Sequence, residues 1–180
     1  MRDAAIRTLI HDRYAVGHDA RPAVDYPTYL TIGSPDAPAA VLGFRVAGTE
    51  PLFLERYLDR PIEELLTERL GQPVPRGRIV ELGDHASHRP TATLALWREA
   101  AVSLEARADV AVAVLTRPLR AMFGRLGLNL TVLAAARAEA LGGASASWGR
   151  YYESEPMLCA GTITTCRAVL DRAIGGNPRS

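Results

Sequence analysis

The spacing of apolar residues predicts a chain in which helices and strands alternate. Ile6, Leu9, Ile10 and Tyr14 recur at helical spacing, so we expect an amphipathic opening helix that stops near Gly17. Further helices are predicted to begin at Pro61, to cover Leu94 to Leu104, and to begin at Pro118. The segments that read as strands are Tyr29 to Ile32, Ala39 to Val46, Arg78 to Gly83, Val110 to Leu115, Leu130 to Ala136 and Pro156 to Thr165.

Two of these strands define the fold class. Val110 to Leu115 is an uninterrupted apolar run, which is typical of a central strand buried on both faces. It follows the strand Arg78 to Gly83 after one helix, and this order implies a right-handed crossover in an α/β sheet. The small residues from Gly142 to Ser147 predict a loop or hinge, and we expect the tail from residue 175 to 180 to be frayed.

Composition places the chain among ordinary globular proteins. Its 180 residues suit one domain over residues 1–180, with no internal repeat and no second boundary. The net charge is +1, from 21 basic and 20 acidic residues, so nucleic acid is not expected as a main partner. No apolar run approaches the roughly 20 residues of a membrane-spanning helix, and no secretory signal is evident, so we expect a cytoplasmic protein. Cys159 and Cys166 are too few for a disulfide framework and are expected to be reduced.

Glu81 is the first candidate for chemistry. It interrupts the apolar strand Arg78 to Gly83, and a buried carboxylate is costly unless a partner or a proton relieves it. One interpretation is a general base or substrate clamp whose pKa is raised by burial. The alternative is that Glu81 faces solvent or an arginine.

Polar residues follow both central strands. His85, His88 and Arg89 lie between the first of these strands and the next helix, where ligands of open α/β sheets collect. Thr116 and Arg117 occupy the corresponding place after the second strand. The arginines could hold an anion at a helix N-terminus, although ordinary capping and solvated side chains are the commoner arrangement. We expect no metal, because the histidine pair lacks further ligands.

An aromatic cluster follows the small-residue loop. Trp148, Tyr151 and Tyr152 could wall a substrate pocket or could cover the core. The chain carries no Walker loop, no glycine-rich dinucleotide motif and no Gly-x-Ser-x-Gly elbow.

An ordered set of segments along nearly the whole chain resembles the thermostable hemolysin family. The segments are Phe53-Leu54-Glu55-x-Tyr57-Leu58-x-x-Pro61-Ile62-Glu63, Ile79-Val80-Glu81-Leu82-Gly83, Thr116-Arg117-Pro118-Leu119-Arg120, Leu126-Gly127 and Trp148-Gly149-x-Tyr151-Tyr152. The resemblance extends to the GNAT acyltransferase fold and to the acyl-homoserine-lactone and N-acyl amino acid synthases. It implies a mixed central sheet, flanked by helices, whose central strands splay apart to admit an acyl thioester.

The resemblance also implies functional roles. Glu81 matches a carboxylate position of the synthases, and Arg89, Thr116 and Arg117 would face the donor phosphates. The segment from Asp84 to Pro90 lacks the Arg/Gln-x-x-Gly-x-Gly/Ala pattern of acetyltransferases, so a carrier protein or a long-chain acyl-CoA fits better than acetyl-CoA. An apolar residue is expected in the family where this chain has His85.

The resulting hypothesis is an N-acyltransferase that moves an acyl group from acyl-CoA or acyl-phosphopantetheine to a small amine, with no permanently bound cofactor. Glu81 and His85 are its candidate catalytic residues. Trp148, Tyr151 and Tyr152 would bind substrate. An acyl carrier protein and a second copy of the chain are candidate partners. Two alternatives stay open, namely a membrane-active lytic protein without catalysis and a non-catalytic binding subunit.

Overall fold

A six-stranded mixed sheet forms the centre of the computed structural model, which describes residues 2–175. Its strands are β1 (Thr28–Ser34), β2 (Ala37–Val46), β3 (Ile79–Ser87), β4 (Val110–Leu115), β5 (Thr131–Ala135) and β6 (Met157–Thr162). Their order across the sheet is β1-β2-β3-β4-β6-β5. Strands β3 and β4 are parallel, and the other four pairs are antiparallel. The predicted fold class is confirmed.

Helices cover both faces of this sheet. They are α1 (Arg2–His18), α2 (Ile62–Leu70), α3 (Pro90–Leu104), α4 (Arg117–Arg125) and α5 (Ile163–Gly175). Shorter 3-10 helices occupy Phe53–Tyr57, Arg76–Arg78, Ala138–Trp148 and Tyr151–Ser154. One core lies between the sheet and helices α3 and α5, and a second lies between the opposite face, α2 and the 53–57 helix. Alternate residues of β3 supply both cores, because successive side chains of a strand point to opposite faces.

The parallel pairing of β3 with β4 is short. It runs from Ile79 opposite Val110 to Leu82 opposite Ala113. Beyond that point β3 continues to Ser87 with β2 as its partner, and β4 continues to Leu115 with β6 as its partner. The two strands therefore splay apart at their carboxyl ends, as the family resemblance implies.

A β-bulge in β3 lies at the same point. Gly83 pairs with Gly43 and Ala86 pairs with Val41, so Asp84 and His85 together oppose one residue of β2. Asp84 adopts a φ of 49°, a left-handed conformation that is uncommon for a residue other than glycine. A bulge of this kind bends a strand and redirects its side chains.

The C-terminal part of the chain corrects the sequence prediction. Strand β6 ends at Thr162, and the next residues begin α5 instead of extending the strand to Thr165. The helix is stabilised by packing of Val169 and Leu170 in the α3 core and by an ion pair of 2.6 Å between Arg98 and Asp171. Gly175 is its last residue, and the rest of the predicted frayed tail lies outside the described residues.

Two smaller differences concern local structure. The predicted loop from residue 142 to 147 lies within the 3-10 segment Ala138–Trp148, which is interrupted at Gly142 with a φ of 55°. The opening helix continues past Gly17 to His18, and Asp19 follows with a φ of 51°. In both cases a residue with positive φ interrupts or follows the helix close to the position predicted from the sequence.

Two glycines in neighbouring strands make room for the ring of Tyr26. Gly43 and Gly83 face each other across β2 and β3, and the ring of Tyr26 lies against both. A Cβ atom at Gly83 would overlap the phenol ring of Tyr26. We expect Gly83→Ala to lower the free energy of unfolding by about 1–3 kcal/mol, the usual cost of overpacking, as measured by urea denaturation.

The matched control is Gly124→Ala in α4. Gly124 is exposed, and a Cβ atom there would meet nothing within 4 Å. Helix propensity predicts a gain of about 0.5–1 kcal/mol for this change. Equal effects of the two substitutions would contradict the packing of Tyr26 described above.

Candidate functional site

A cavity of about 230 Å³ occupies the region where β3 and β4 separate. The strands contribute Leu82 to His85 on one side and Ala113 to Leu115 on the other. The aromatic residues in its wall are Tyr14, Tyr26, Phe53, Tyr57, Trp97, Trp148 and Tyr151. Trp97 belongs to α3 on one face of the sheet, and Phe53 belongs to the 53–57 helix on the other face. The cavity therefore passes through the gap between the strands.

Glu81 is enclosed at the inner end of this cavity, with only 1% of its surface exposed. Its two carboxylate oxygens accept hydrogen bonds from the backbone N–H groups of Leu54 (2.7 Å) and Phe53 (3.1 Å). Burial raises the pKa of Glu81, and these two N–H groups oppose the increase. The carboxylate does not face solvent, so that part of the alternative from the sequence is wrong. Arg45 stands opposite Glu81 in the β2–β3 register and also lowers the pKa of Glu81, although no ion pair forms between the two among the described residues.

A second carboxylate fixes the 53–57 helix that contacts Glu81. Glu55 accepts hydrogen bonds from the backbone N–H groups of Leu52 (2.7 Å) and Ile62 (3.0 Å). Arg76 donates to both oxygens of Glu55, at 2.8 and 2.9 Å. The Arg76 guanidinium is the main reason that the pKa of Glu55 falls to about 2. Glu55 thus orders the segment whose N–H groups hold Glu81.

Asp84, in the bulge, is a further buried carboxylate in the cavity wall, 7% exposed. The hydroxyl of Tyr29 donates to its Oδ2 at 2.7 Å. Burial raises the pKa of Asp84, and the Tyr29 hydroxyl opposes the increase. Tyr26 lines the same cavity as Asp84 and Glu81. Burial raises the pKa of its phenol, and the charges of these two carboxylates raise it further. Two acidic groups and one phenol therefore share this side of the cavity.

His85 is not in a loop, as the sequence predicted, but in β3. Its ring lies against Trp97, with ring centroids 5.9 Å apart. Burial lowers the pKa of His85 to about 4, so the imidazole is neutral at pH 7. His88 follows the strand and is exposed.

The predicted aromatic cluster lies in and beside the wall of the cavity. Trp148 and Tyr151 line it, with their ring centroids 5.1 Å apart. Tyr152 does not line it, but its hydroxyl lies 2.7 Å from the hydroxyl of Tyr57, which does. Tyr14 of α1 stacks on Tyr151 at 6.1 Å. The structure brings these residues together with Glu81 and His85 in one site.

The residues predicted to hold donor phosphates lie outside the cavity wall. Arg89 and Thr116 immediately precede the first turns of α3 and α4. Arg117 is exposed, and its guanidinium lies 3.6 Å from the Glu155 carboxylate. Their role as a phosphate site stays a prediction.

A smaller apolar cavity of about 50 Å³ adjoins the first one on the α3 and α5 side of the sheet. Leu82, Trp97, Ala113 and Leu115 line both cavities. Cys159 and Cys166 lie in its wall as free thiols, and burial raises the pKa of each to about 11. At neutral pH both are protonated and apolar in character.

Sequence reasoning missed three residues of the site. Asp84 follows Glu81 by three positions, and a regular strand would place the two on opposite faces; the bulge instead brings Asp84 to the tyrosine side. Tyr26 precedes β1 in a segment without periodicity. Trp97 lies within the predicted helix from Leu94 to Leu104, and helical spacing carries no information about the cavity beside it.

The same fold occurs in solved structures of an N-acyl amino acid synthase and of acyl-homoserine lactone synthases. The chain is similar in structure to FeeM, an N-acyl amino acid synthase from uncultured soil microbes, with a TM-score of 0.59, 15% identity, and 92% and 93% of the two chains covered. It is also similar to the acyl-homoserine lactone synthase BjaI, solved with MTA, with a TM-score of 0.63, 16% identity and coverages of 97% and 82%. A third similar structure is the synthase LasI, with a TM-score of 0.58, 18% identity and coverages of 99% and 91%. At these identities the likeness establishes the fold.

The chain belongs to the thermostable hemolysin family, whose model matches residues 1–167. A search of curated proteins finds no sequence match. Within residues 2–175, no helix is both long and apolar enough to cross a membrane.

The Glu55 network provides a prediction on pH dependence. The pKa of Glu55 is lowered from 4.5 to about 2, so its stabilising effect is complete above pH 4.5 and is lost as the pH falls towards 2. We expect Glu55→Gln to lower the free energy of unfolding by about 3 kcal/mol at pH 7. The difference between variant and parent should shrink between pH 4.5 and 2, as followed by chemical denaturation.

Glu68→Gln serves as the control for this experiment. Glu68 pairs with Arg60 at 2.6 Å, but its side chain is 58% exposed. An exposed pair of this kind contributes less than about 1 kcal/mol. A loss as large as that of Glu55→Gln would show that burial and backbone contacts do not distinguish the two carboxylates.

Proposed function

We propose that the chain is an N-acyltransferase that transfers an acyl group from an acyl thioester to a small amine or amino acid. The observation that carries this proposal is the cavity through the gap between β3 and β4, which joins a buried carboxylate to an apolar compartment. A thioester needs both an apolar place for its chain and a polar place for its reacting carbonyl. Similar folds support the assignment, because FeeM is an N-acyl amino acid synthase and BjaI was solved with SAM and isopentyl-CoA.

The acyl chain would enter the apolar cavity beside Cys159 and Trp97. The carbonyl carbon would then lie in the gap, where the splayed ends of β3 and β4 no longer bond to each other. Backbone N–H groups of these strand ends would hold the carbonyl oxygen. The bulge at Asp84 and His85 favours such an arrangement, because it interrupts the β2–β3 hydrogen-bond ladder beside the gap.

The amine would approach from the side of the tyrosines. Its nitrogen attacks the carbonyl carbon, the tetrahedral intermediate collapses, and the C–S bond breaks to release a thiolate. The proton lost by the amine passes to Glu81, directly or through water, and then to the thiolate. A raised pKa suits Glu81 to this role, since a base is most effective when its pKa is near the working pH.

The aromatic residues Trp148, Tyr151 and Tyr152 would enclose the acceptor. Arg89, Thr116 and Arg117 would contact the donor phosphates outside the cavity. Because the chain lacks the acetyltransferase pattern after Gly83, the donor would be a carrier-protein thioester or a long-chain acyl-CoA in the cytoplasm. No permanently bound cofactor is needed for this chemistry.

The test is to incubate purified protein with acyl-CoA and acyl-carrier donors together with a panel of amines and amino acids. New amides are detected by mass spectrometry, and the released thiol is measured in parallel. The sequence contains no lysine, so acylated lysine side chains of the protein cannot obscure the product. We expect one donor and acceptor pair to give amide and thiol in equal amounts.

Glu81→Gln should lower kcat/KM by about 100-fold or more, since general base catalysis contributes at least this factor. The parent enzyme should lose activity as the pH falls below the raised pKa of Glu81, and the variant should lack this acidic limb. Circular dichroism and thermal unfolding establish that the variant is folded.

The alternatives predict other results. A lytic protein would release dye from lipid vesicles without consuming a donor, and a binding subunit would bind donor without forming amide. Either result would overturn the proposed function, as would full activity of Glu81→Gln.

A further inference from the structure

Two polar nitrogens in the cavity wall are buried without a hydrogen-bond partner among the described residues. They are Nε2 of His85 in the bulge of β3 and Nε1 of Trp97 in α3. Their rings are 5.9 Å apart, and both line the cavity at the gap between the strands. Buried polar groups in proteins are nearly always paired, so two exceptions side by side require an explanation.

Packing does not explain the indole nitrogen. Trp97 packs edge to face against Phe123, with ring centroids 4.9 Å apart. A phenylalanine at position 97 could make an aromatic contact of the same kind without burying an unpaired N–H group. The indole therefore carries a donor with no protein acceptor among the described residues.

The chemistry of the two groups specifies their ligand. The indole N–H can only donate, so the ligand must present an acceptor atom. The imidazole of His85 is neutral and can donate from Nε2 to the same atom when its proton is on that nitrogen. On the α3 and α5 side of the sheet the surroundings are otherwise apolar, since Trp97 also borders the small cavity beside Leu115 and Cys159. The ligand group is thus an uncharged acceptor at the head of an apolar chain.

We propose that Trp97 and His85 bind the carbonyl oxygen of the acyl thioester, with the indole N–H and the imidazole N–H as donors. This inference rests on the proposed function and adds to the backbone donors a side-chain pair that selects thioesters by their carbonyl group. Both hydrogen bonds strengthen as negative charge develops on that oxygen during attack by the amine. The pair would also account for a histidine where the family resemblance implies an apolar residue.

The test compares two inert analogues of one acyl-CoA. In the ketone analogue a methylene group replaces the thioester sulfur and the carbonyl remains, whereas in the S-alkyl thioether the carbonyl is absent. Calorimetric titration measures both dissociation constants at the same chain length. We expect the parent protein to bind the ketone about 10-fold more tightly, the factor that one or two modest hydrogen bonds provide.

Trp97→Phe should reduce this preference to about twofold while changing affinity for the thioether less than twofold. His85→Leu should act in the same direction.

The unfolding free energy of Trp97→Phe should equal or exceed that of the parent, because an unpaired donor is removed; a merely structural role predicts a loss. Phe123→Leu is the packing control, and it should affect both analogues equally.

Equal binding of the two analogues by the parent protein would overturn the proposal that Trp97 and His85 bind the carbonyl oxygen. The proposal that the cavity binds an acyl thioester would not be affected by that result. The same proportional loss for both analogues in Trp97→Phe would also overturn it, since the indole would then act only through packing. If neither analogue binds, whether it is linked to CoA or to an acyl carrier protein, the proposed function fails together with this inference.

Discussion

Strands β3 and β4 share hydrogen bonds over four residue pairs, and the candidate site depends on where that ladder stops. If the pairing continued past Leu82 and Ala113, the sheet would close and no passage would join its two faces. The bulge at Asp84 and His85 prevents a regular continuation, because it bends β3 and leaves it following β2. The glycines at positions 43 and 83 then give room for Tyr26 beside the gap. A local irregularity of one strand therefore produces the cavity and sets which side chains line it.

The electrostatics of the site follow from this geometry. Glu81 and Asp84 are both buried, and within residues 2–175 neither has an arginine within ion-pair distance. Backbone N–H groups hold Glu81, and a tyrosine hydroxyl holds Asp84. Neutral donors offset less of the desolvation cost than a cation would, which is why the pKa of each carboxyl stays raised. Two acidic groups with raised pKa values therefore line the cavity.

Much of the fold could be predicted from the sequence, since the signals are local. The apolar run at β4 gives the bounds of that strand, and Pro61 with Gly71 gives the ends of α2 to within one residue. The boundary between β6 and α5 was not predicted, because the strand run passes into an amphipathic helix without a glycine or proline between them. At β3 the local signal misleads in the opposite way, because Gly83 reads as a strand end although β3 continues to Ser87 with β2 as its partner.

The site was predicted in part. Glu81 could be found because one carboxylate in an apolar strand is anomalous, but its partners could not, since the N–H groups of Phe53 and Leu54 come from a segment 27 and 28 residues away. The position of His85 beside Trp97 depends on the bulge, which changes the facing of every later residue in the strand. No periodicity in the sequence records such a shift. The family resemblance therefore indicates the fold and candidate residues, and only the tertiary structure shows which side chains contact one another.

In the proposed function an acyl thioester lies in the gap between β3 and β4. A crystal structure of the protein with the ketone analogue of a bound acyl-CoA tests it most directly. We expect the carbonyl carbon beyond the Leu82 and Ala113 pair, with the acyl chain on the α3 side of the sheet and Glu81 on the side of Tyr26. A ligand bound elsewhere, or a β3 and β4 ladder that closes over this gap, would contradict it.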